Sequence, residues 1–476
     1  MRFPEKILFT ILLVVFSYAG YSQYFIYGQD PASVKWMEIQ TSHFQVIYPK
    51  SFSEKANHVA NILEKAYEKT SVSMEHKPKK VTVIIHNQTT VSNGFVAPAP
   101  TRMELFSVPP QDNSVVPWLE HLCVHEQRHV VQVDKLNQGI TRLMTWLFGE
   151  QATGAAAGIV PMWFFEGDAV IAESALTPGG RGRFADFAKS YRANILDTNR
   201  NFGFNKMLLG SYNHQTPNHY ALGYHLTSFA RKEFDFDLWS DVMDYTARNP
   251  YFGASFSARL KKYSGHSTGE IYKLASNFFD SLWTEHIKQS DYTEVERVNS
   301  RKSDDYISYR FPQNAGKDSV IAVQSGFSHL DRFVLIDGEK ESVIHTPGIM
   351  TSEDFSYANE MIVWAERKPD LRWTHRNHSV IKIYDIQQKL ERQLTENTRF
   401  FAPAFSPGGK LIAVVEVTED NKYSLVILDS QRGFRQKSFS SLNNMFLQRP
   451  AWSPDGKYVY VTALNDKGKA IYRIDY

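Results

Sequence analysis

The sequence predicts an α+β domain that ends in a helical lobe and is followed by an all-β repeat region. Three observations predict it. Between Trp36 and Val108, short runs of strand character alternate with one long amphipathic stretch. From Trp118 to Gln289 the apolar residues fall mostly at helical spacing. After about Ser300 the period changes, and the segment from Pro403 to Ala413 (PAFSPGGKLIA) returns at Pro450 to Tyr460 as PAWSPDGKYVY. A chain of 476 residues allows two or three domains, and 42% apolar with 14% aromatic residues can fill cores of that size. A formal charge of +2 without a basic run argues against a dedicated nucleic-acid surface.

Residues 1–22 read as an export signal. Arg2 and Lys6 precede the apolar run Ile7–Ala19, which is short for a bilayer span, and Gly20 and Ser22 stand before a cut at Ser22/Gln23. No Cys follows the cut, so lipid attachment there is not expected, and no later stretch reads as a span. The mature chain is therefore expected outside the cytoplasm, in the periplasm, cell envelope or medium, with no membrane span. Trp36–Tyr48 reads as strands, and Ser53–Ser71 as a helix with Ala56, Val59, Leu63 and Ala66 on one stripe. Lys80–His86 and Arg102–Val108 read as strands. Trp118–Gln132 reads as a helix, with Pro117 suited to its first turn and Gly139 to its end. Gly149–Gly158 reads as a flexible loop, followed by a helix that opens near Trp163. Ala221–Lys232 reads as another helix. Asp235–Gln289 reads as several, with Trp239, Val242, Leu260, Tyr263, Ile271, Leu274, Phe278, Phe279 and Trp283 as core positions. The one cysteine, Cys123, has no intrachain partner and is expected as a small buried hydrophobe.

The chemistry sits in His125-Glu126-Gln127-Arg128-His129. Two histidines four apart share a helical face, so both rings can meet one metal ion. Glu126, rotated by roughly 100° from His125, misses the metal but reaches a water beside it, where it would act as base. A catalytic zinc site takes three protein ligands, so a third is needed. Downstream stands Trp163-Phe164-Phe165-Glu166-Gly167-Asp168-Ala169. An H-E-x-x-H helix followed by a helix with E-G-x-A resembles the gluzincin peptidases. The resemblance covers roughly residues 36–283 and implies a zincin-like metallopeptidase domain over residues 24–295. It implies Zn2+ held by His125, His129 and Glu166, with a water in the fourth position and Glu126 as general base. It also implies a tyrosine from a later helix at the oxyanion, with Tyr220 the first candidate and Tyr224 the second. The strand before the zinc helix would be a sheet edge on which extended substrate pairs its backbone.

Alternatives within the motif are weaker. The metzincin pattern fails, because Gln132 and Lys135 stand where its Gly and third His belong. Asp168, two residues from Glu166, falls on another helical face. Met103-Glu104 resembles part of the G-A-M-E-N segment of the aminopeptidase branch, but the flanking Gly and Asn are missing, so no amine-binding Glu is assigned. His121, one turn before His125, suits the cleft edge, and His214, His219 and His225 show no metal spacing.

The Ser-Pro-x-Gly turn between strands, repeating after 47 residues, resembles the TolB-type β-propeller repeat, one four-stranded blade per period. Degenerate copies run from Asp354 to Asp385 and from Phe311 to Asp337. This gives a partial propeller over 300–476, of about four blades with the last one short, as expected of a truncated form of a longer protein. All the ligands lie upstream, so residues after about 300 are expected to be dispensable for zinc. The function expected is an exported zinc-dependent metallopeptidase acting on a peptide or protein substrate, its propeller holding a protein partner or gating the cleft. The alternatives are a catalytically retired peptidase fold serving as an envelope binding module through its propeller, and a zinc hydrolase acting on an amide other than a peptide bond.

Overall fold

The computed structural model describes residues 28–111, 115–197, 202–250, 254–299, 306–316, 318–465 and 467–476, and the expected export signal lies outside them. The N-terminal region starts from a five-stranded sheet of β1 (Trp36–Gln40), β2 (Phe44–Pro49), β3 (Val81–His86), β4 (Gly94–Pro98) and β5 (Thr101–Phe106), in the order β1-β2-β3-β5-β4. β2, β3 and β5 run parallel, with antiparallel partners at both edges. Helix α1 (Ser53–Ser71) makes the β2–β3 crossover that a parallel pair requires. Its expected stripe is buried, and Ala56, Val59 and Leu63 pack with Phe44, Val46, Val83 and Leu105 of the sheet. Helix α2 (Trp118–Lys135) joins this core through Leu119, Leu122, Val130 and the fully buried Cys123.

Three sequence expectations are corrected here. The strand before α2 is internal, because the chain turns back at Ala99-Pro100 and places β4 outside β5 as the edge. Gly139 does not end α2, which stops at Lys135; at φ +55° it opens α3 (Gly139–Phe148), where a β-carbon would meet Arg248 Cγ at 2.7 Å. The 149–158 stretch is mostly helix, α4 (Gln151–Ala157), since its alanines favour helix more strongly than its glycine opposes it.

The helical lobe comprises α5 (Met162–Leu176), α6 (Ala185–Leu196), α7 (Phe204–Leu209), α8 (His219–Glu233), α9 (Leu238–Arg248), α10 (Ser255–Ser264) and α11 (Thr268–Lys288). Trp163, Phe164, Leu222, Trp239, Val242, Phe256, Leu260, Ile271 and Trp283 form its core. Of the expected core positions, Tyr263, Phe278 and Phe279 are only partly buried, and Leu274 is exposed. α5 and α8 cross at glycines. A β-carbon on Gly223 would lie 1.7 Å from Trp163 O, and one on Gly167 would lie 2.2 Å from Gly223 C. The glycine of E-G-D-A is therefore the point where two helix backbones touch.

The C-terminal region is all β, and its four sheets are consistent with a propeller-like domain. The first comprises β6 (Ile307–Asn314), β7 (Ser319–Gly326), β8 (Arg332–Asp337) and β9 (Lys340–His345). The second comprises β10 (Met350–Ala358), β11 (Met361–Pro369), β12 (Asn377–Asp385) and β13 (Leu390–Gln393). The third comprises β14 (Phe400–Phe405), β15 (Leu411–Val417), β16 (Tyr423–Asp429) and β17 (Arg435–Ser440). The fourth has three strands, β18 (Phe446–Trp452), β19 (Tyr458–Asn465) and β20 (Gly468–Asp475). The opening strands β6, β10, β14 and β18 lie side by side from sheet to sheet. Each Ser-Pro-x-Gly forms the turn after an opening strand. Gly409 and Gly456 supply φ of +67° and +70°, and the Oγ atoms of Ser406 and Ser453 accept from the backbone N–H of Leu411 and Tyr458.

The two regions meet through a buried polar seam. Asn421 Nδ2 donates to Ser107 O at 2.8 Å, and Asn87 Nδ2 donates to Glu419 O at 3.0 Å. Asn377 Oδ1 accepts from Thr90 N at 2.7 Å, and Val108 inserts into the core of the last two sheets. Leaving such groups unpaired costs about 1–3 kcal/mol each. The all-β region thus braces the loops that follow β3 and β5. No single helix among the described residues is long and apolar enough to cross a membrane.

Candidate metal centre

α2 and α5 pack together and bring three ligand-type atoms to one point. His125 Nε2 and His129 Nε2 are 3.2 Å apart, and each is 3.3 Å from Glu166 Oε2. That triangle matches the edge, about 3.3 Å, of a tetrahedron with Zn–N and Zn–O bonds of about 2.0–2.1 Å. The outer ring nitrogens are held from behind. His125 Nδ1 is 2.8 Å from Glu173 Oε2, and His129 Nδ1 is 2.8 Å from Gln132 Oε1. Both contacts turn the Nε2 lone pairs inward, as supporting partners of metal-binding histidines do. Gln132 is fixed in turn, its Nε2 donating to Phe165 O and Asp168 Oδ2.

The electrostatics point the same way. Glu166 Oε2 is buried and makes no hydrogen bond among the described residues. Burial opposes its charge, but His125 and His129 hold its carboxyl well below the usual range. Burial likewise opposes a charged His125, yet Glu166 and Glu173 push it up to about 9. A positive charge is favoured at this point, and three convergent N and O donors can accept it from a divalent metal. The residues present therefore fit zinc.

Glu126 is 3% exposed, its Oε2 has no hydrogen-bond partner among the described residues, and burial pushes its carboxyl up. It is wedged against edge strand β4, where a β-carbon on Gly94 would lie 2.9 Å from Glu126 Oε1. Asp168 is committed elsewhere. Arg128 grips it with two contacts of 2.6 and 3.0 Å, Arg231 adds a third of 3.1 Å, and the group ties α2, α5 and α8 together. Tyr220 lies in the first turn of α8, which Asn218 caps by accepting from Ala221 N. It lines the cleft, and burial and Glu166 push its hydroxyl up to about 12. Tyr224 instead packs against Phe187 and Gly182.

Two neighbours, Glu173 and Arg181, were not singled out from sequence. Glu173 Oε2 receives His125 Nδ1, His121 Nε2 at 2.8 Å and Arg181 Nη2 at 3.0 Å. Burial opposes its ionisation, but His121, His125 and Arg181 hold it well below the carboxylate range. Its signal was available, since it follows Glu166 by two helical turns on one face. Arg181 had none, because the turn after α5 places it, with its guanidinium 4.9 Å over the Tyr220 ring.

The centre opens on two sides. One lobe, about 1090 Å³, runs from Glu126, Arg181 and Tyr220 to Phe311, Met350, Arg367 and Arg449 of the all-β region. The other, about 530 Å³, lies along Phe95, Val96, His129 and Glu166.

No family model and no curated protein matches the chain. Solved structures similar to parts of it include an acylaminoacyl peptidase from Pyrococcus horikoshii (15% identity, TM-score 0.20, 23% of this chain and 17% of that one). Another is a protein described as TolB from Agrobacterium tumefaciens (12% identity, TM-score 0.27, 33% of this chain and 57% of that one). A third is the β-propeller domain of the Trilobed protease from Pyrococcus furiosus (10% identity, TM-score 0.23, 36% of this chain and 58% of that one). The chain thus spans less than two thirds of each.

Proposed function

We propose that the protein is an exported zinc-dependent metallopeptidase. The observation that carries this reading is the convergence of His125, His129 and Glu166 in a cleft that also holds Glu126, a buried carboxylate whose Oε2 has no hydrogen-bond partner among the described residues. Those three side chains would hold zinc, which when bound would supply Lewis acidity toward a water nucleophile at neutral pH. Glu126 takes the proton of the attacking water and passes it to the leaving amine, work suited to a carboxylate whose affinity for protons burial has raised. Tyr220, with Arg181 over its ring, is the donor offered to the carbonyl oxygen as it gains charge. Edge strand β4, which lines the cleft beside Glu126, offers its free backbone groups to an extended substrate. The all-β wall favours peptides or unfolded segments over folded proteins as substrates, since it narrows the approach to Glu126.

The test is metal analysis of the full chain with a peptide-library digest, comparing wild type and Glu126→Gln. Zinc content and folding should be equal, and hydrolysis should fall by roughly 10²–10⁴-fold in the variant. Zinc-loaded wild type that cuts nothing in a broad peptide panel would sink the peptidase reading and favour a binding module on a retired fold.

A further inference from the structure

A second convergence of ligand atoms lies at the seam between the two regions, apart from the cleft's triad. Asp30 comes from the segment before β1, His86 is the last residue of β3, and His375 stands in the turn before β12. Asp30 Oδ2 is 3.2 Å from His86 Nδ1 and 3.1 Å from His375 Nδ1, and all three ligand atoms lie within 4.8 Å of one another. The two short separations again approach the edge, about 3.3 Å, of a tetrahedral zinc site. Main-chain bonds hold the outer pair in place, with Thr374 N donating to Gly28 O and His375 N to Gln29 O, each at 2.8 Å.

The tautomer of His86 decides what this cluster needs. Its Nε2 is 3.1 Å from Glu104 Oε2, and Glu104 Oε1 accepts from Arg102 Nε at 2.6 Å. Glu104 Oε2 is placed to accept a proton from His86 Nε2, and the neutral ring with its proton there carries a lone pair on Nδ1. That Nδ1 is buried, lies 3.2 Å from Asp30 Oδ2, and has no hydrogen-bond partner among the described residues. A lone pair set against a carboxylate oxygen at this distance is repulsive unless a proton or a metal cation stands between them, and the convergence of a third ligand atom from His375 suits the cation. The Glu104–His86 contact is also the carboxylate support that metal-binding histidines carry.

We propose that Asp30, His86 and His375 form a second metal site, for zinc or another first-row divalent cation, that clasps the N-terminal segment and the sheet to the all-β region. Two imidazoles and one carboxylate are a borderline donor set suited to zinc. The side chains of Asp30 and His375 are 14% and 16% exposed, so the cluster is reachable from solvent and a water can complete the shell. His86 is walled by Phe106, stacked at 5.1 Å, and by the edge of Trp36. Among the described residues no unpartnered buried carboxylate stands beside this cluster as Glu126 stands beside the first, so its role is structural. It stands whether or not the first cluster is catalytic.

The experiment uses the full chain with His125→Ala and His129→Ala, loaded with Zn2+ by dialysis and read by elemental analysis. One equivalent should remain, and adding His375→Asn should remove it with an affinity loss of about 10²-fold or more. Cobalt loading should show a visible ligand-field spectrum that His375→Asn abolishes, and zinc should raise the Tm of the two-alanine protein but not of the three-residue variant. Should the alanine pair fail to fold, Asp30→Asn and His375→Asn in otherwise native protein must each lower the zinc count from two to one. A single equivalent in wild type that His125→Ala removes completely would overturn the proposal. So would His375→Asn lowering the Tm with zinc content unchanged, since the cluster would then be only an ion pair between protonated histidines and Asp30.

Discussion

The two histidine–carboxylate clusters are alike in spacing and differ in how the chain builds them. In the first, His125 and His129 share one helix and Glu166 lies on the helix packed against it, so local geometry does most of the positioning. In the second, Asp30, His86 and His375 come from three segments spread over most of the chain and meet where two regions dock. Both have a carboxylate behind a histidine, Glu173 for His125 and Glu104 for His86. Among the described residues, the first alone has an unpartnered buried carboxylate, Glu126, beside it. The difference teaches that ligand sets alone do not separate chemistry from clasping. What surrounds the ligands does.

The strongest way to test the first cluster's scaffold is Asp168→Ala. It strips two buried arginines of their partner, and the chain should lose about 3–5 kcal/mol of stability by denaturant unfolding. Zinc binding by the folded fraction should persist, because Asp168 is not a ligand. Loss of zinc at full folding would move the third ligand away from Glu166.

The next contrast is with a buried histidine that has no carboxylate. His225 Nδ1 meets Ala221 O at 2.7 Å, and burial pushes its pKa down to about 4 from an ordinary 6.5. The unfolded chain therefore binds a proton below pH 6.5 that the native state declines. The stability this group contributes is complete above 6.5 and is lost as pH falls toward 4, by roughly 3 kcal/mol. Unfolding of His225→Phe across that window should lack this part of the slope. An unchanged slope would assign the acid sensitivity to the carboxylate-bearing clusters instead.

The smallest expected effect compares the two supports. Glu173→Gln and Glu104→Gln should each weaken zinc at their own cluster by about 10–100-fold, leaving the other cluster's affinity untouched in competition titrations. Cross-talk between them would break the picture of two independent sites.

Much of the first cluster was legible because its information is periodic. A spacing of four puts His125 and His129 on one face, and a distinct helix signature named Glu166. The Ser-Pro-x-Gly turns were legible for a similar reason, since Gly409 and Gly456 are required by left-handed backbone that the sequence pattern announces. Edge strand β4 was missed because Gly94–Pro98 is short and ends in prolines, and its strand character comes from pairing with β5 rather than from its own residues. The seam contacts of Asn377 and Asn421 were not legible, because their partners are main-chain and hydroxyl groups with no sequence signal.

By itself the sequence determined what local geometry can carry, namely the two-histidine helix, the Glu helix, the strand–turn repeat and the switch of period between the two regions. Tertiary structure decided what depends on distant segments meeting. It set Arg181 over Tyr220, made β4 the edge, walled the cleft with Arg367 and Arg449, and brought His375 to Asp30 and His86. The physical reason is range. Backbone periodicity places side chains within a few turns of one another, whereas contacts across hundreds of residues exist only after burial has docked one core against the next.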